Sequence, residues 1–332
     1  MAATQRKLLQ ALDYVTMGSG PQIETLGSVR ASHFRKVNHA AEDDNVVAIG
    51  ISEKFVENRA SGELTLCFYV KKKQPPSRVS VDKAIPGVIN MPGDEAVFTD
   101  VKELGEVVPE MALPQRKKKP IQSGFSVGHF KITAGTVGAI VRKGGRYHIL
   151  SNSHVLADSG KGSAGDAVLY PGPDDGGTLA HSQVARLAEF FPFDKSGSYG
   201  NQMDAALAEI DEAQVPNLDL AIHRAAYPLK MAVAKRGMTV VKSGRTTGKS
   251  EGNVIDVNFR VLLTYPGVGK IGFLDQVLCT RYTGGGDSGS LVVDKDTGKI
   301  VGLHFAGANN GSVFNPIGVV KKALGFRFVA PI

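Results

Sequence analysis

Toward its C-terminal end the chain reads Gly285-Gly286-Asp287-Ser288-Gly289-Ser290. A serine between glycines is a candidate nucleophile, because glycine allows tight backbone turns that other residues resist. Such a turn can aim the amides of Gly286 and Ser288 at one point. Two N–H groups converging there would hold the oxyanion of a tetrahedral intermediate. A serine hydroxyl is weakly nucleophilic and needs a neighbouring base, which needs an orienting group in turn. The chemistry is acyl transfer, and the rest of the chain must supply a histidine and a carboxylate.

Eight histidines are available. His154 stands in ILSNSHVLA (149–157), where an apolar strand-like run passes into small residues and then the histidine. Asp204 opens DAALAEI (204–210), and Asp219 in DLAI competes with it. Asp204 is preferred on placement: it lies well before Gly244, which leaves the chain room to cross into a second unit. His33, His39, His129, His148, His181 and His223 lack this context and read as surface or structural groups.

Taken together, GTVGAIVR, SHVLA, DAAL, SGRTTG and GGDSGS resemble the chymotrypsin-fold (trypsin-like) serine peptidases over about residues 124–332. The pattern is similar to bacterial streptogrisin-like peptidases and, more loosely, to bacterial intracellular trypsin-like ones. The order His154, Asp204, Ser288 is the chymotrypsin order; subtilisins and α/β-hydrolases use others. The resemblance implies a mainly β fold, a chymotrypsin-like double β-barrel, here with an N-terminal α/β extension. It also implies serine endopeptidase activity through an acyl-enzyme. His154 would act as base then acid, Asp204 would orient it, and Gly286 and Ser288 would form the oxyanion hole. No cofactor or metal is expected. Two departures stand out: no cysteine flanks His154 or Ser288, and nothing resembles an activation cleavage. Asp287 is therefore expected to lack its usual partner, a new N-terminus.

In this family the specificity pocket uses residues just before the serine and a strand after it. Thr283 lies 288 − 283 = 5 positions before Ser288, and His304 lies 304 − 288 = 16 after. Picornaviral and potyviral processing proteases and bacterial glutamyl endopeptidases are similar here. An imidazole and a threonine hydroxyl can both donate to a side-chain carbonyl or carboxylate. Tyr282 stands where trypsin carries its aspartate. Cleavage after Glu or Gln is the expectation.

The elements that must position these residues are short. From residue 124 onward, brief β-like runs alternate with glycine turns, as in a barrel. Residues 1–120 read as an N-terminal α/β segment, and 121–332 as the peptidase domain, with barrels at about 121–232 and 233–332. In the first segment, Leu8, Leu9, Leu12 and Val15 predict a helix over 4–16. The runs 46–56 and 63–70 predict a β-hairpin. The stretch 112–123 is basic and proline-flanked, and is the expected boundary. Ile317, Val320 and Leu324 predict a closing helix within 316–326.

The 332 residues are 42 % hydrophobic and 21 % charged, the composition of a soluble globular chain. The net charge of +7 is mild; the runs Lys71–Lys73 and Arg116–Lys119 read as solvated, and no nucleic-acid partner is expected. Cys67 and Cys279 both lie in apolar runs and read as buried free thiols, which favours a reducing, cytoplasmic setting. No signal-peptide core or transmembrane stretch is visible. Asp174-Asp175-Gly176-Gly177 reads as a turn, since it lacks the spaced carboxylates of a calcium loop. A peptide or protein substrate is expected, with residues 1–120 as a candidate docking segment for a regulatory partner. The competing function class is a non-catalytic binding module on a peptidase-like barrel.

Overall fold

In the computed structural model, Leu8, Leu12 and Val15 form the buried face of helix α1 (Ala2–Thr16). The structure describes residues 2–16, 37, 41, 43–56, 59–81, 83–91, 95–109, 120–226 and 229–330. The run Arg116–Lys119, most of the boundary stretch 112–123, and His33 and His39 lie outside these residues. Strands β1 (Val46–Val56) and β2 (Arg59–Val70) make the expected hairpin. Strands β3 (Val88–Met91) and β4 (Glu95–Glu103) pair with each other, and β4 runs parallel to β2. A two-residue strand, β5 (Val108–Pro109), follows.

The next unit contains β6 (Ser126–His129), β7 (Gly135–Thr136), β8 (Ala139–Lys143) and β9 (Arg146–Ser151). A one-turn helix, α2 (Ser153–Leu156), leads to β10 (Ala167–Leu169), β11 (Gln183–Phe190) and β12 (Ala206–Ile210). Side chains alternate in direction along a strand, so each strand feeds two cores. Ile149, Ala206 and Ala208 enter the interior that this sheet wraps. Leu150, Ala205 and Leu207 face the other way, into a core shared with Val241, Leu291, Leu303 and Val320 of the second unit. That period-two alternation joins the two units.

The second unit contains β13 (Thr239–Gly244), β14 (Gly248–Tyr265), β15 (Gly269–Cys279), β16 (Leu291–Asp294), β17 (Ile300–Ala308) and β18 (Gly311–Pro316). These six pair in the order β13-β16-β17-β18-β15-β14, and β14 pairs back onto β13, so the ring closes. Closure removes the exposed sheet edges that would otherwise invite aggregation. Helix α3 (Ile317–Leu324) buries Ile317, Val320 and Leu324, and β19 (Arg327–Phe328) crosses back to pair with β8. The fold is mainly β, the chymotrypsin-like architecture expected from the motifs.

Strand β14 has 18 residues, longer than its barrel requires. Its middle pairs with β1, Ala48 opposite Val261 and Ile49 opposite Arg260. The N-terminal strands and the second barrel therefore share one continuous sheet. Arg260 reinforces the joint by donating to Asp13 of α1 at 2.5 Å. Cys67 and Cys279 are buried and free. No described helix is long and apolar enough to cross a membrane.

Candidate active site

Strands β9 and β12 run side by side, with Ser151 opposite Ala206. That register brings the residue just past β9 and the residue just before β12 together. They are His154, on α2, and Asp204, whose side chain is fully buried. His154 Nδ1 donates to Asp204 Oδ2 at 2.5 Å, and the His154 amide donates to Oδ1 at 3.1 Å. The proton on Nδ1 leaves Nε2 as an acceptor, and Nε2 is buried with no hydrogen-bond partner among the described residues.

Tyr265, the last residue of β14, donates its hydroxyl to Asp204 Oδ2 at 2.8 Å. Burial first, and then the Asp204 charge, push the Tyr265 hydroxyl well above the usual range, so it stays protonated and donates. The Asp204 backbone is fixed too. Its amide donates to Asn315 Oδ1 at 3.1 Å, and its carbonyl accepts from Asn152 Nδ2 at 2.7 Å. Asn315 in turn donates to Gln276 Oε1 at 2.6 Å. A buried carboxylate needs such donors, because an unpaired one is strongly disfavoured. Nothing local in the sequence marks Tyr265, which reaches Asp204 only because β14 is long. Asp219 is elsewhere: its amide donates to Ile121 O at 2.9 Å and its Oδ1 accepts the Ala221 amide at 2.9 Å, the pattern of a turn.

Ser288 lies in the loop between β15 and β16 and is fully buried. Gly286 and Gly289 sit at φ +87° and +93°, in the left-handed region. At Gly289 a Cβ would fall 2.0 Å from Ser151 Oγ, so the loop packs directly on the first unit. Thr136 of β7 clamps it: its amide donates to Ser288 O at 2.8 Å and its hydroxyl to Gly286 O at 2.7 Å. The Ser288 hydroxyl donates to Phe305 O of β17 at 3.2 Å. It engages that carbonyl in place of His154 Nε2.

The expectation that Asp287 lacks a partner is overturned. Lys242 Nζ lies 2.8 Å from Asp287 Oδ2, and both side chains are fully buried. The Thr246 and Thr247 amides donate to Asp287 Oδ1 at 2.9 and 3.1 Å, and the Thr247 hydroxyl donates to Oδ2 at 2.6 Å. Burial alone would raise the Asp287 pKa, but Lys242, the Thr247 hydroxyl and the Gly284 amide outweigh it and hold the carboxyl below its usual range. Gly244 makes the approach feasible, since a Cβ there would sit 2.4 Å from Asp287 Oδ1. The lysine that begins KSGRTTG, Lys242, thus stands in for the chain terminus that the family resemblance implies.

Tyr282, Thr283 and His304 are all buried. The Thr283 hydroxyl shares a 2.6 Å hydrogen bond with Ser312 Oγ, which also accepts the Tyr282 amide at 3.2 Å. The Tyr282 and His304 ring centroids are 6.2 Å apart. Ser312, on β18, therefore joins the expected pocket residues, and the sequence offered no signal for it. Between the units, Arg245 makes a bidentate pair with Asp175, at 2.5 and 2.6 Å, both side chains fully buried. The expected turn at 174–177 is a short 3₁₀ segment ending at Gly176, φ +85°. Among the described residues, no group of three or more His, Cys, Asp or Glu side chains is placed to hold a metal ion.

The trypsin family model matches residues 113–327. Several solved structures are similar. A glutamic-acid-specific serine protease that uses a histidine triad in substrate binding is 19 % identical, covers 63 % of this chain and 100 % of its own, and has a TM-score of 0.44. Thermobifida fusca protease A is 19 % identical, covering 64 % of this chain and 99 % of its own, with a TM-score of 0.44. Cellulomonas bogoriensis chymotrypsin is 17 % identical, covering 64 % and 99 %, with a TM-score of 0.42. No curated protein matches the chain.

Proposed function

As the chain belongs to the trypsin family of serine endopeptidases, we propose that His154, Asp204 and Ser288 are its catalytic triad and that it cleaves after glutamate or glutamine. The observation that carries this reading is the 2.5 Å bond from His154 Nδ1 to Asp204, with Nε2 left as an acceptor. Rotation about χ1 takes the Ser288 hydroxyl off Phe305 O and toward Nε2. His154 accepts the hydroxyl proton as Ser288 attacks the substrate carbonyl, and later returns it to the departing amine. Asp204 holds the tautomer and stabilises the imidazolium, and Tyr265 steadies Asp204. The amides of Gly286 and Ser288 stabilise the oxyanion. Water then hydrolyses the acyl-enzyme by the same route.

The Glu or Gln preference is supported by donors without a facing carboxylate: the Thr283 hydroxyl and the His304 imidazole, with Ser312 beside them. Tyr282 offers no anion to a lysine or arginine side chain. Residues 121–332 serve as the peptidase unit and residues 1–120 as a regulatory segment. Two buried free thiols suit a reducing compartment such as the cytoplasm. An active-site fluorophosphonate tests the core of the reading. Labelling of the wild type that disappears in Ser288→Ala and in His154→Ala supports it; an unlabelled, folded wild type sinks it.

A further inference from the structure

One edge of β17 is covered by β18 over Gly302–Ala308. On the other edge, β16 pairs as far as Leu303. The nucleophile loop then takes His304, whose carbonyl accepts the Gly289 amide at 2.8 Å and whose amide donates to Ser290 O at 2.9 Å. Next along the same edge comes the Phe305 carbonyl, which accepts the Ser288 hydroxyl at 3.2 Å. An extended peptide adds to a free sheet edge through main-chain bonds. Here the edge beyond the nucleophile is taken by the chain itself: Pro109 of β5 pairs antiparallel with Ala306, and Val108 with Gly307.

The direction of β5 is that of a chain approaching the nucleophile. From Phe305 to Gly307, β17 runs away from Ser288, so the antiparallel step from Val108 to Pro109 runs toward it. A polypeptide that presents a carbonyl to Ser288 along this edge runs the same way, with the residues before its scissile bond on Ala306 and Gly307. A cavity of about 510 Å³ is bordered by Val108, Pro109, Gly285 and Gly307, so β5 and the nucleophile loop face one space.

The hold on this edge is uneven. Leu104 and Val107 are buried in the core that contains Phe305 and Ala306. The Leu104 amide donates to Val70 O at 2.9 Å, and the Asn310 amide donates to Leu104 O at 3.4 Å. Val108, by contrast, is 43 % exposed. Bonded and non-bonded pairs alternate along an antiparallel ladder, and proline has no N–H to donate. Val108 with Gly307 is therefore the bonded pair of this two-residue ladder. The buried anchor keeps β5 beside the edge at high effective concentration. Because burial stops at Val107, β5 can lift from Val108 onward with the core intact.

We propose that β5 is a built-in competitor: Val108 and Pro109 occupy the places on β17 that the residues before a scissile bond need, and a polypeptide must displace them to reach Ser288. This rests on the catalytic reading above and adds to it a selection by substrate length. A compound that needs only the nucleophile and the pocket of Thr283 and His304 enters without disturbing β5. A longer chain gains the edge only in the fraction of molecules that β5 has left, so its apparent affinity falls by that fraction.

The test uses the full chain as wild type, Val108→Pro and Ser288→Ala. Val108→Pro removes the amide through which β5 donates to β17. For a peptide with several residues before the scissile bond and glutamate at P1, Val108→Pro should lower KM about tenfold with kcat little changed. Fluorophosphonate labelling and hydrolysis of a single-residue glutamyl ester should change by less than about twofold, since neither needs the edge. In Ser288→Ala, saturating amounts of the same peptide should speed hydrogen exchange at the Val108 amide. This second readout leaves β5 unaltered and decides the matter should Val108→Pro fail to fold. Equal KM in wild type and folded Val108→Pro, or Val108 exchange that is unchanged or slowed by bound peptide, overturns the proposal. The catalytic reading then still stands if fluorophosphonate labels Ser288. Folded wild type and Val108→Pro that neither label nor hydrolyse overturn both.

Discussion

Lys242 Nζ and Asp287 Oδ2 are 2.8 Å apart with both side chains fully buried, directly beneath the loop that carries Ser288. Lys242 thus supplies from within the chain the cation that holds this loop. Removing one member of a buried pair strands the other, at a cost of about 3–5 kcal/mol. Lys242→Met should lose about that much stability in urea titrations and should also slow fluorophosphonate labelling. The Asp287 carboxyl is held below its usual range. Its stabilisation is therefore present above the unfolded carboxyl pKa of about 4 and fades as pH falls through the folded value. The stability gap between wild type and Asp287→Asn should accordingly shrink on acidification below about pH 4.

Among the described residues, Tyr265 is one of three donors to the Asp204 carboxylate, beside the Nδ1 and amide of His154. Tyr265→Phe removes one hydrogen bond to a charged group, worth about 1.5–3 kcal/mol. Kinetics on a fixed peptide should register a drop in kcat of roughly tenfold or more with KM little changed, because the Tyr265 hydroxyl is committed to Asp204.

Arg245 and Asp175 join the two units through a buried bidentate pair. Asp175→Ala should destabilise by about 3–5 kcal/mol, since it strands the guanidinium. Replacing both by apolar residues of similar volume, Arg245→Met with Asp175→Leu, should restore much of that loss. A double-mutant cycle measured by thermal and urea unfolding reads the coupling.

Asp256 lies where β14 meets the N-terminal sheet, and a Cβ on Gly50 of β1 would fall 2.0 Å from its Oδ2. Burial raises its pKa to about 7, although the Asn258 amide and Arg236 oppose the shift. The folded state therefore keeps a proton that the unfolded state has lost, and stability should fall as pH rises from about 4 to about 7. Asp256→Asn should flatten that fall and gain on the order of a few kcal/mol above pH 7. Gly50→Ala should destabilise by more than about 2 kcal/mol through the close approach.

Specificity is checked by scanning a peptide library at P1. Wild type should prefer Glu or Gln, and His304→Ala should lose selectivity by about 10- to 100-fold with less effect on ester hydrolysis. A wild-type preference for Lys, Arg or large apolar residues would refute the pocket assignment.

Much of the candidate site was legible because its proposed chemistry is carried by short contiguous motifs. SHVLA, DAAL and GGDSGS each place one chemical group at one strand end, and their order separated this arrangement from other serine hydrolases. The helix expected over 4–16, the hairpin expected from the runs 46–56 and 63–70, and the closing helix within 316–326 followed from local spacing and turn residues. Lys242, Tyr265, Ser312 and the segment 104–109 were not legible. Each acts across a large sequence separation, on a partner that only strand register identifies.

The chain's sequence by itself determined the residue types of the acyl-transfer chemistry, their order, and the alternation that makes strands feed two cores. These are local properties, set by side-chain chemistry and by the period of the strand. Tertiary structure decided which charge neutralises Asp287, which donor completes Asp204, and that the chain's own Val108 and Pro109 lie on the edge of β17. Those outcomes depend on closing a six-stranded barrel and extending β14 into the N-terminal sheet. Burial then makes each polar group take whichever partner the register delivers.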